Sequence, residues 1–597
     1  MSDQISFYGR HSDTDPTMRS YAIGDQAAGE VVRMARAATR VAVDIETAGL
    51  AEKAFQVKVI IIATELRSCV LDASDARHRA AAREALSVAR ELVFQNSAFD
   101  VPPLVTAGIM RIEDIAKISD TLIYSRMAST GEMDRHSLGD LERRYLSGRM
   151  RSMTKDNLAD WGKINRLTKS QVFERAQYAD PVYAMYAGWD GVLTSMVLEP
   201  VRDAARRQLT EHPFGRYGAD AVQAEYLMER EQRVNRIMLR RSALGIAIDD
   251  DRVTGEQDQL RMQMNELGDQ LAGFGVAEAT NRNQLAAALE DADAFPDDYP
   301  RTATGKYSTA KSNLDTVDHP AVRAFRTHDE HRRLFAYLED ARLVAARTDG
   351  RIHPQVNILK ARTGRMSYSN PALQQFTPGA RQALLADEGD TLTSIDWSSI
   401  EPVLIANMAG DMTLIEAYES GEKFYDVVSK VAGVAYKRAK VIVLAKLYGQ
   451  GLRSLSTGLG IDIDEAKALD ALVTRAMPMT DRFTKWAAVW SEETGKTWTL
   501  SGRIIDVDPE FGYKGPNYVA QGSNYDVMAE TLVDADDAGI ADRVYLAVHD
   551  ELVVSTEVAD EFVEIMRKPP QRLIEHAGRV PVIRVDRAEL GARWDAA

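Results

Sequence analysis

The sequence predicts a multidomain α/β protein. Residues 40–205 alternate short apolar runs of strand character with helical segments, a long helical stretch follows, and residues 351–597 return to mixed strands and helices. At 597 residues, 45% hydrophobic and 27% charged, the chain exceeds the roughly 250–300 residues that one hydrophobic core serves. At least two domains are therefore expected.

In chain order, residues 1–30 read as an N-terminal extension and 31–210 as the first domain, whose strands are RVAVDIE, VKVIIIAT and ELVFQN. VKVIIIAT at 57–64 reads as a buried strand, since it is far shorter than the about 20 apolar residues that span a bilayer. The start, MSDQISFYGRHSDTD, lacks the basic then apolar run of a secretory signal, so no membrane attachment is expected. EHPFGRYG at 211–218 reads as a hinge before the second unit, 217–597. A helix is predicted from Ala221 to Leu244, with Gly245 as its stop signal. Cys69 is the only cysteine, which excludes an internal disulfide and a cysteine zinc cluster and suits a reducing cytoplasm. No internal repeat or low-complexity tract is present.

The net charge of −16 argues against a histone-like nucleic-acid binder, because phosphate neutralisation needs a basic surface. Any such surface is local. Arg143, Arg144, Arg149, Arg151 and Lys155 form one basic cluster, and Lys360, Arg362 and Arg365 another.

A first set of carboxylates lies in DIET at 44–47, NSAFD at 96–100 and YAGWD at 186–190. Asp44 and Glu46 are two apart at the end of a strand, so both leave the same face. Asn96 and Asp100, like Tyr186 and Asp190, are four apart in helical contexts and share a face. An acid-x-acid pair occurs about 13 times by chance at this composition, so DIE alone carries little. Three elements in this order, joined by Asp120 in SDTLIYSR, aim Asp44, Glu46, Asp100 and Asp190 at one pocket. Carboxylate oxygens suit hard divalent metals, and two such ions activate a water and stabilise the leaving oxygen of a phosphodiester. Tyr186 is expected to orient that water.

A second set is Asp396, delivered by the short strand TLTSIDW, and Asp550 with Glu551, at the turn of the hairpin VYLAVHDELVVS. Acids at a hairpin apex are poor core formers, and only a tertiary fold brings them to Asp396. Cations held by Asp396 and Asp550 suit in-line phosphoryl transfer from a nucleoside triphosphate. Between these acids lies YKRAKVIVLAKLYGQG, in which Tyr436, Lys440, Leu444 and Tyr448 recur every four residues along one helical face. Lysine beside tyrosine on such a stripe suits a triphosphate clamp next to a stacking platform.

The first set resembles the DEDD-type 3′–5′ exonucleases, in the version whose third element carries a tyrosine. From about residue 40 to the end, the chain resembles the family A DNA polymerases, the polymerase I type. DWSSIE at 396–401 looks like motif A, KRAKVIVLAKLYG motif B and VHDE motif C, with further family patterns at ARTGRMS, NPALQQFTP, GKYST and NYVAQGSNYD. The resemblance implies a ribonuclease H-like 3′–5′ exonuclease domain followed by a right-hand polymerase domain: thumb about 217–350, palm about 351–420 and 506–597, fingers about 421–505. It implies that Lys440 contacts the incoming triphosphate, Tyr448 closes over the template base, and Glu401 excludes a 2′-hydroxyl. Gln374, Gln375, Asn517, Gln521 and His549 are candidates for testing base-pair geometry in the minor groove, where acceptors lie at nearly one place for every pair. Arg365 and Lys360 are assigned to primer or template phosphates, and the Gly305–Thr309 turn, with Lys306, to the duplex. Mg²⁺ is implied, two ions per site, with Mn²⁺ as a substitute.

The chain departs from the family at four places. Tyr436 stands where motif B usually has arginine, leaving Lys437 or Arg438 to supply that phosphate contact. Leu444 replaces an aromatic ring, which leaves dideoxynucleotide discrimination open. Motif A continues EPV, and Tyr513 occupies another usual arginine position. The exonuclease motif begins by residue 44, so no 5′ nuclease domain is expected to precede it, as in compact phage relatives. The expectation is template-directed addition of deoxynucleotides with proofreading, in phage DNA replication, by a monomer in the host cytoplasm. Expected partners are primer–template DNA, deoxynucleoside triphosphates and replisome proteins such as a helicase and a single-strand binding protein. The alternatives are an exonuclease or a non-catalytic replication scaffold with a vestigial polymerase domain.

Overall fold

Three consecutive isoleucines, Ile60, Ile61 and Ile62, are fully buried on a strand that is covered on both faces. The computed structural model describes residues 4–8, 18–131, 134–146, 148, 150–212, 214–302, 304–314 and 316–595. Arg149, one of the basic residues singled out above, lies outside them.

The isoleucine strand belongs to a seven-stranded mixed sheet built from β1 (Gln4–Tyr8), β2 (Met18–Ile23), β3 (Val41–Thr47), β4 (Val57–Ala63), β5 (Arg67–Asp72), β6 (Leu92–Phe94) and β7 (Ile118–Asp120), in the order β1-β2-β5-β4-β3-β6-β7. Because side chains alternate along a strand, Ile60 and Ile62 pack with Val31 and Leu86 of the helices Gly24–Ala37 and Ala76–Val88. Ile61 and Ala63 face the other way, towards the thirty-residue helix Pro181–Thr210. Burial on both faces accounts for the unbroken apolar run. Residues 1–30, read from sequence as an extension, contribute β1, β2 and the start of a helix to this layer.

Within the segment 211–218, read as a hinge, Phe214 and Tyr217 are packed. Phe214 is buried, its ring 5.1 Å from that of Trp498, and Tyr217 lies 5.1 Å from Trp498 and 5.1 Å from His576. The segment reads as a hinge in sequence, but the rings of Phe214 and Tyr217 are packed against Trp498.

Helix Ala221–Leu244 ends at Gly245 with φ 71°, as its sequence indicates. An added Cβ there would meet the Ile352 carbonyl oxygen at 2.9 Å, so both backbone conformation and space require glycine. The same helix carries Arg230, fully buried and paired with Glu231 at 2.6 Å, Asp526 at 2.9 Å and Glu530 at 2.9 Å. This cluster ties it to helix Gly515–Asp537. Arg230→Ala would leave buried carboxylates without their cation, and a loss of about 3 kcal/mol is expected, read as a lower midpoint in denaturant unfolding.

Helices Asp250–Gly273 and Pro320–Arg347 pack as a pair, with a satellite core around Leu285, Leu289, Tyr299 and Phe325 beside them. The second functional layer is a four-stranded antiparallel sheet of β8 (Leu392–Trp397), β9 (Val544–Val548), β10 (Glu551–Ser555) and β11 (Val585–Gly591), ordered β9-β10-β8-β11. Residues 424–494 form five consecutive helices. Among the described residues, no helix is long and apolar enough to cross a membrane.

Candidate active sites: two carboxylate clusters

The first cluster gathers on β3 and two helices. Asp44 and Glu46 leave one face of β3, and Asp190 projects from helix Pro181–Thr210, so that oxygens of the three carboxylates lie within 4.8 Å of one another. Asp100 is buried on helix Ser97–Thr106, near enough that Asp44 and Glu46 disfavour its charge. Burial, then the neighbouring Asp190, raises the Asp44 carboxyl to about 7. Burial pushes Glu46 and Asp100 well above the ordinary carboxylate range, with like charges adding to it. Asp190 is raised by burial and drawn back by Arg151, whose Nη2 lies 2.9 Å from its Oδ2. The other Asp190 oxygen, Oδ1, is buried without a partner. A crowded set of hard oxygen donors with an orphaned oxygen fits a divalent cation.

Tyr186 lies one turn before Asp190, its hydroxyl 3.4 Å from Arg151 Nη2. Asp120 does not join the cluster. Its carboxylate accepts from the backbone N–H groups of Asn96, Ser97 and Leu122 and from Ser97 Oγ, so it anchors the turn that positions Asp100. A cavity of 320 Å³ opens over Asp44 and Asp190, lined also by Arg126, Arg151, Asn357 and Lys360. Lys360, assigned from sequence to the primer or template at the other site, thus borders this one. Arg126 is bound to the Ile358 carbonyl at 2.5 Å, which fixes residues 357–360 against the pocket.

The second cluster is set by strand register. Asp396 on β8 is opposite Glu551 on β10 and Asp586 on β11, and Asp550 sits in the β9–β10 turn after His549, whose φ is 60°. Burial, then Asp550, Glu551 and Asp586, raises the Asp396 carboxyl to about 7. Its Oδ1 is buried without a partner, which again fits a cation. Glu551 accepts from Ser394 Oγ at 2.6 Å and Asp586 from Ser398 Oγ at 2.6 Å. Burial, then Arg365, lowers the His549 pKa and so favours neutral imidazole.

Above these acids is a cavity of 540 Å³, and Tyr436, Lys440, Leu444 and Tyr448 of helix Tyr436–Leu447 and its C-cap all line it. Tyr448 donates to Glu401 Oε2 at 2.7 Å, and Arg365 pairs with the other Glu401 oxygen. Lys440 lies 5.7 Å from the centre of the Tyr425 ring. Lys437 and Arg438 are exposed and do not line the cavity; Arg438 pairs with Glu465 at 3.4 Å. Adjacent positions on a helix point about 100° apart, which is why neighbours of a lining residue turn away.

Among the amides, Gln374 is committed to the fold: its Oε1 accepts from Tyr368 N at 2.8 Å and its Nε2 donates to the Met366 carbonyl at 3.0 Å. Both ends of the amide brace the short strand Ser367–Ser369, which sequence offers no means of foreseeing. Gln375 is exposed, and Asn517 and Gln521 are half-buried one turn apart on helix Gly515–Asp537, with Asn517 Oδ1 buried and unpartnered. Lys306 is exposed near the end of a small hairpin held by Arg301 over the Tyr307 ring. Sequence reading missed Asp586, Lys423, Tyr425 and Arg584, all lining the larger cavity. The strand pattern of VIRVDRAEL was a signal for Asp586, though not for its neighbour.

Crowded acids make a pH prediction. Natively, Asp44 and Asp396 keep protons to about pH 7, whereas unfolded carboxyls lose them near about 3.9. Over that interval the native state binds more protons, so stability falls as pH rises. In chelator, the melting temperature should decline from pH 5 to 7.5, and a divalent cation should remove the decline. An equal decline in an Asp44→Asn/Asp396→Asn variant would rule out these carboxyls as the cause.

Residues 251–596 match the model of DNA polymerase family A, and residues 23–196 that of a 3′–5′ exonuclease family. The DNA polymerase of Mycobacterium phage L5 is 24% identical over 494 residues, 80% of each chain. That of Mycobacterium phage D29 is 25% identical over 551 residues, 86% of each. The DNA polymerase I of Mycobacterium tuberculosis (strain ATCC 25618 / H37Rv) is 29% identical over 381 residues, 56% of this chain and 42% of that one. In fold, the chain is similar to the POL domain of Pol1 from M. smegmatis, solved in complex with DNA primer-template and dNTP. The TM-score is 0.67 at 22% identity, covering 95% of this chain and 98% of that chain.

Proposed function

Because the chain belongs to DNA polymerase family A, with a 3′–5′ exonuclease domain ahead of its polymerase domain, we propose that it extends primers on a template in phage DNA replication and edits their 3′ ends. The observation that carries this is the second cavity, where Asp396 and Asp550 face Lys440 and Tyr448 across space sufficient for a nucleoside triphosphate.

Asp396 and Asp550 are the residues to hold Mg²⁺, with Mn²⁺ as a substitute, and Glu551 flanks them. Bound there, the cations would favour the 3′-oxyanion nucleophile and neutralise the phosphates. Lys440 meets charge developing on the triphosphate, and the Tyr448 ring offers a stacking face to the nascent pair. Glu401, held from both sides by Tyr448 and Arg365, stands as a fixed wall against a 2′-hydroxyl. His549, Gln375, Asn517 and Gln521 are the groups to test the minor groove, and Lys306 the duplex backbone. In the first cluster, Asp44, Glu46, Asp100 and Asp190 would hold the cations, and Tyr186 with Arg151 would position the attacking water or the scissile phosphate. Primer–template DNA and deoxynucleoside triphosphates are the substrates of a monomer in the host cytoplasm, with a helicase and single-strand binding protein as partners.

A labelled primer on a longer template, incubated with Mg²⁺, should lengthen with deoxynucleotides and shorten without them. Shortening in both conditions would leave an exonuclease with a vestigial polymerase domain. Inertness in both would leave a scaffold. Lys360→Ala should slow exonuclease on single strands about tenfold and spare extension, the mark of a phosphate contact in the smaller pocket. Slower extension alone would return Lys360 to the primer.

A further inference from the structure

We infer that Arg584, with Lys423, forms a second cationic wall of the triphosphate site, opposite Lys440, and that it comes from the palm sheet and the segment beside it. The inference rests on the polymerase reading above and concerns which residues hold the phosphates.

Four cationic side chains line the larger cavity: Arg365, Lys423, Lys440 and Arg584. Arg365 is committed to Glu401. On helix Tyr436–Leu447, the lining position one turn before Lys440 is Tyr436, a ring set edge-on to Tyr425 with centroids 6.0 Å apart. That helix therefore presents one ammonium to the cavity, while Asp396, Asp550 and Asp586 line its other side. A triphosphate carries several negative charges into a space already rich in carboxylates, and one lysine is a small counterweight.

Arg584 is placed and braced to supply more. It immediately precedes β11, two residues before Asp586, so both side chains leave the same face towards the cavity. Its carbonyl accepts from Ser398 N at 2.9 Å, which sets it beside the backbone following Asp396. The guanidinium lies 4.1 Å from the centre of the Tyr418 ring and donates through Nη1 to the Glu422 carbonyl at 3.0 Å. Tyr418 in turn donates to the Ser398 carbonyl at 3.2 Å. A planar cation stacked on a ring, with a single donor tied to a carbonyl, is preorganised to offer its remaining N–H groups to phosphate oxygens. Lys423, the N-cap of helix Phe424–Ala432, is exposed at the same rim, adjacent to the carbonyl that holds Arg584. Phosphate entering there also meets the N-terminal end of that helix.

Single-nucleotide incorporation by the full chain on primer–template tests this, using wild type, Arg584→Ala, Arg584→Lys and Lys423→Ala. The KM for deoxynucleotide should rise about 10–100-fold in Arg584→Ala, less in Arg584→Lys, and severalfold in Lys423→Ala. Inhibition by inorganic pyrophosphate should weaken in parallel, while the primer–template Kd and the exonuclease rate stay at wild-type values. An unchanged KM and pyrophosphate inhibition in Arg584→Ala would overturn the inference. If Arg584→Ala loses exonuclease activity as well, and so is misfolded, Arg584→Lys and Lys423→Ala decide: wild-type KM in both overturns it. Failure of the wild type to extend any primer would instead overturn the polymerase reading.

Discussion

Asp550→Ala should abolish primer extension and leave exonuclease activity intact. Asp550 stands at the β9–β10 turn, lines the larger cavity and is among the charges that raise the Asp396 carboxyl. Removing it takes away one carboxylate of the pair that would hold the cations, and with it several kcal/mol of transition-state charge stabilisation. Each 1.36 kcal/mol is tenfold in rate, so extension should fall by about 10³-fold or more. Single-turnover incorporation at saturating deoxynucleotide would measure the loss in the chemical step. The fold should tolerate the change, because the turn's register is set by the flanking apolar pairs, Ala547 with Leu552 among them. Exonuclease assayed on the same preparation is the control, and its loss together with extension would mean that the two sites are not independent.

Asp44→Ala should do the reverse. Asp44 shares its neighbourhood with Glu46 and Asp190, oxygens within 4.8 Å, so its loss removes one of the carboxylates that would hold a cation. Digestion of single-stranded ends should slow by about 10³-fold on the same reasoning, while extension is unchanged. Relief of repulsion should also stabilise the metal-free protein, since the Asp44 carboxyl is held at about 7 by burial and then by Asp190. A less stable Asp44→Ala variant with wild-type exonuclease would place the cation site elsewhere. Misincorporation should rise in this variant, because extension would then proceed without removal of mismatched ends.

The pairing of two activities on one chain was legible because the informative signals are local. Asp44 with Glu46, and Tyr186 with Asp190, share faces by periodicity alone, as do Tyr436, Lys440, Leu444 and Tyr448; in the structure Asp44 and Glu46 meet Asp190, Tyr186 and Asp190 both reach Arg151 Nη2, and the other four line one cavity. Strand and helix limits such as Ala221–Leu244 with Gly245 follow from nearest-neighbour chemistry in the same way. What was not legible depends on partners far away in the chain. Asp120 looked like a site residue by type, yet the backbone N–H groups of Asn96 and Ser97, more than twenty residues away, occupy its carboxylate, and the Gln374 amide is taken up by the backbone at Met366 and Tyr368.

By itself, the sequence determined the fold class, the carboxylates and the cationic and aromatic stripe, because side-chain chemistry and the 2.0 and 3.6 residue periods act over a few positions. Tertiary structure alone decided that Asp586 and Arg584 line the cavity beside Asp396, that Lys360 borders the pocket over Asp44 and Asp190, and that Phe214 and Tyr217 pack against Trp498. Those outcomes are set by the register of β11 on β8 and by packing between units, where burial of surfaces remote in sequence outweighs local preference.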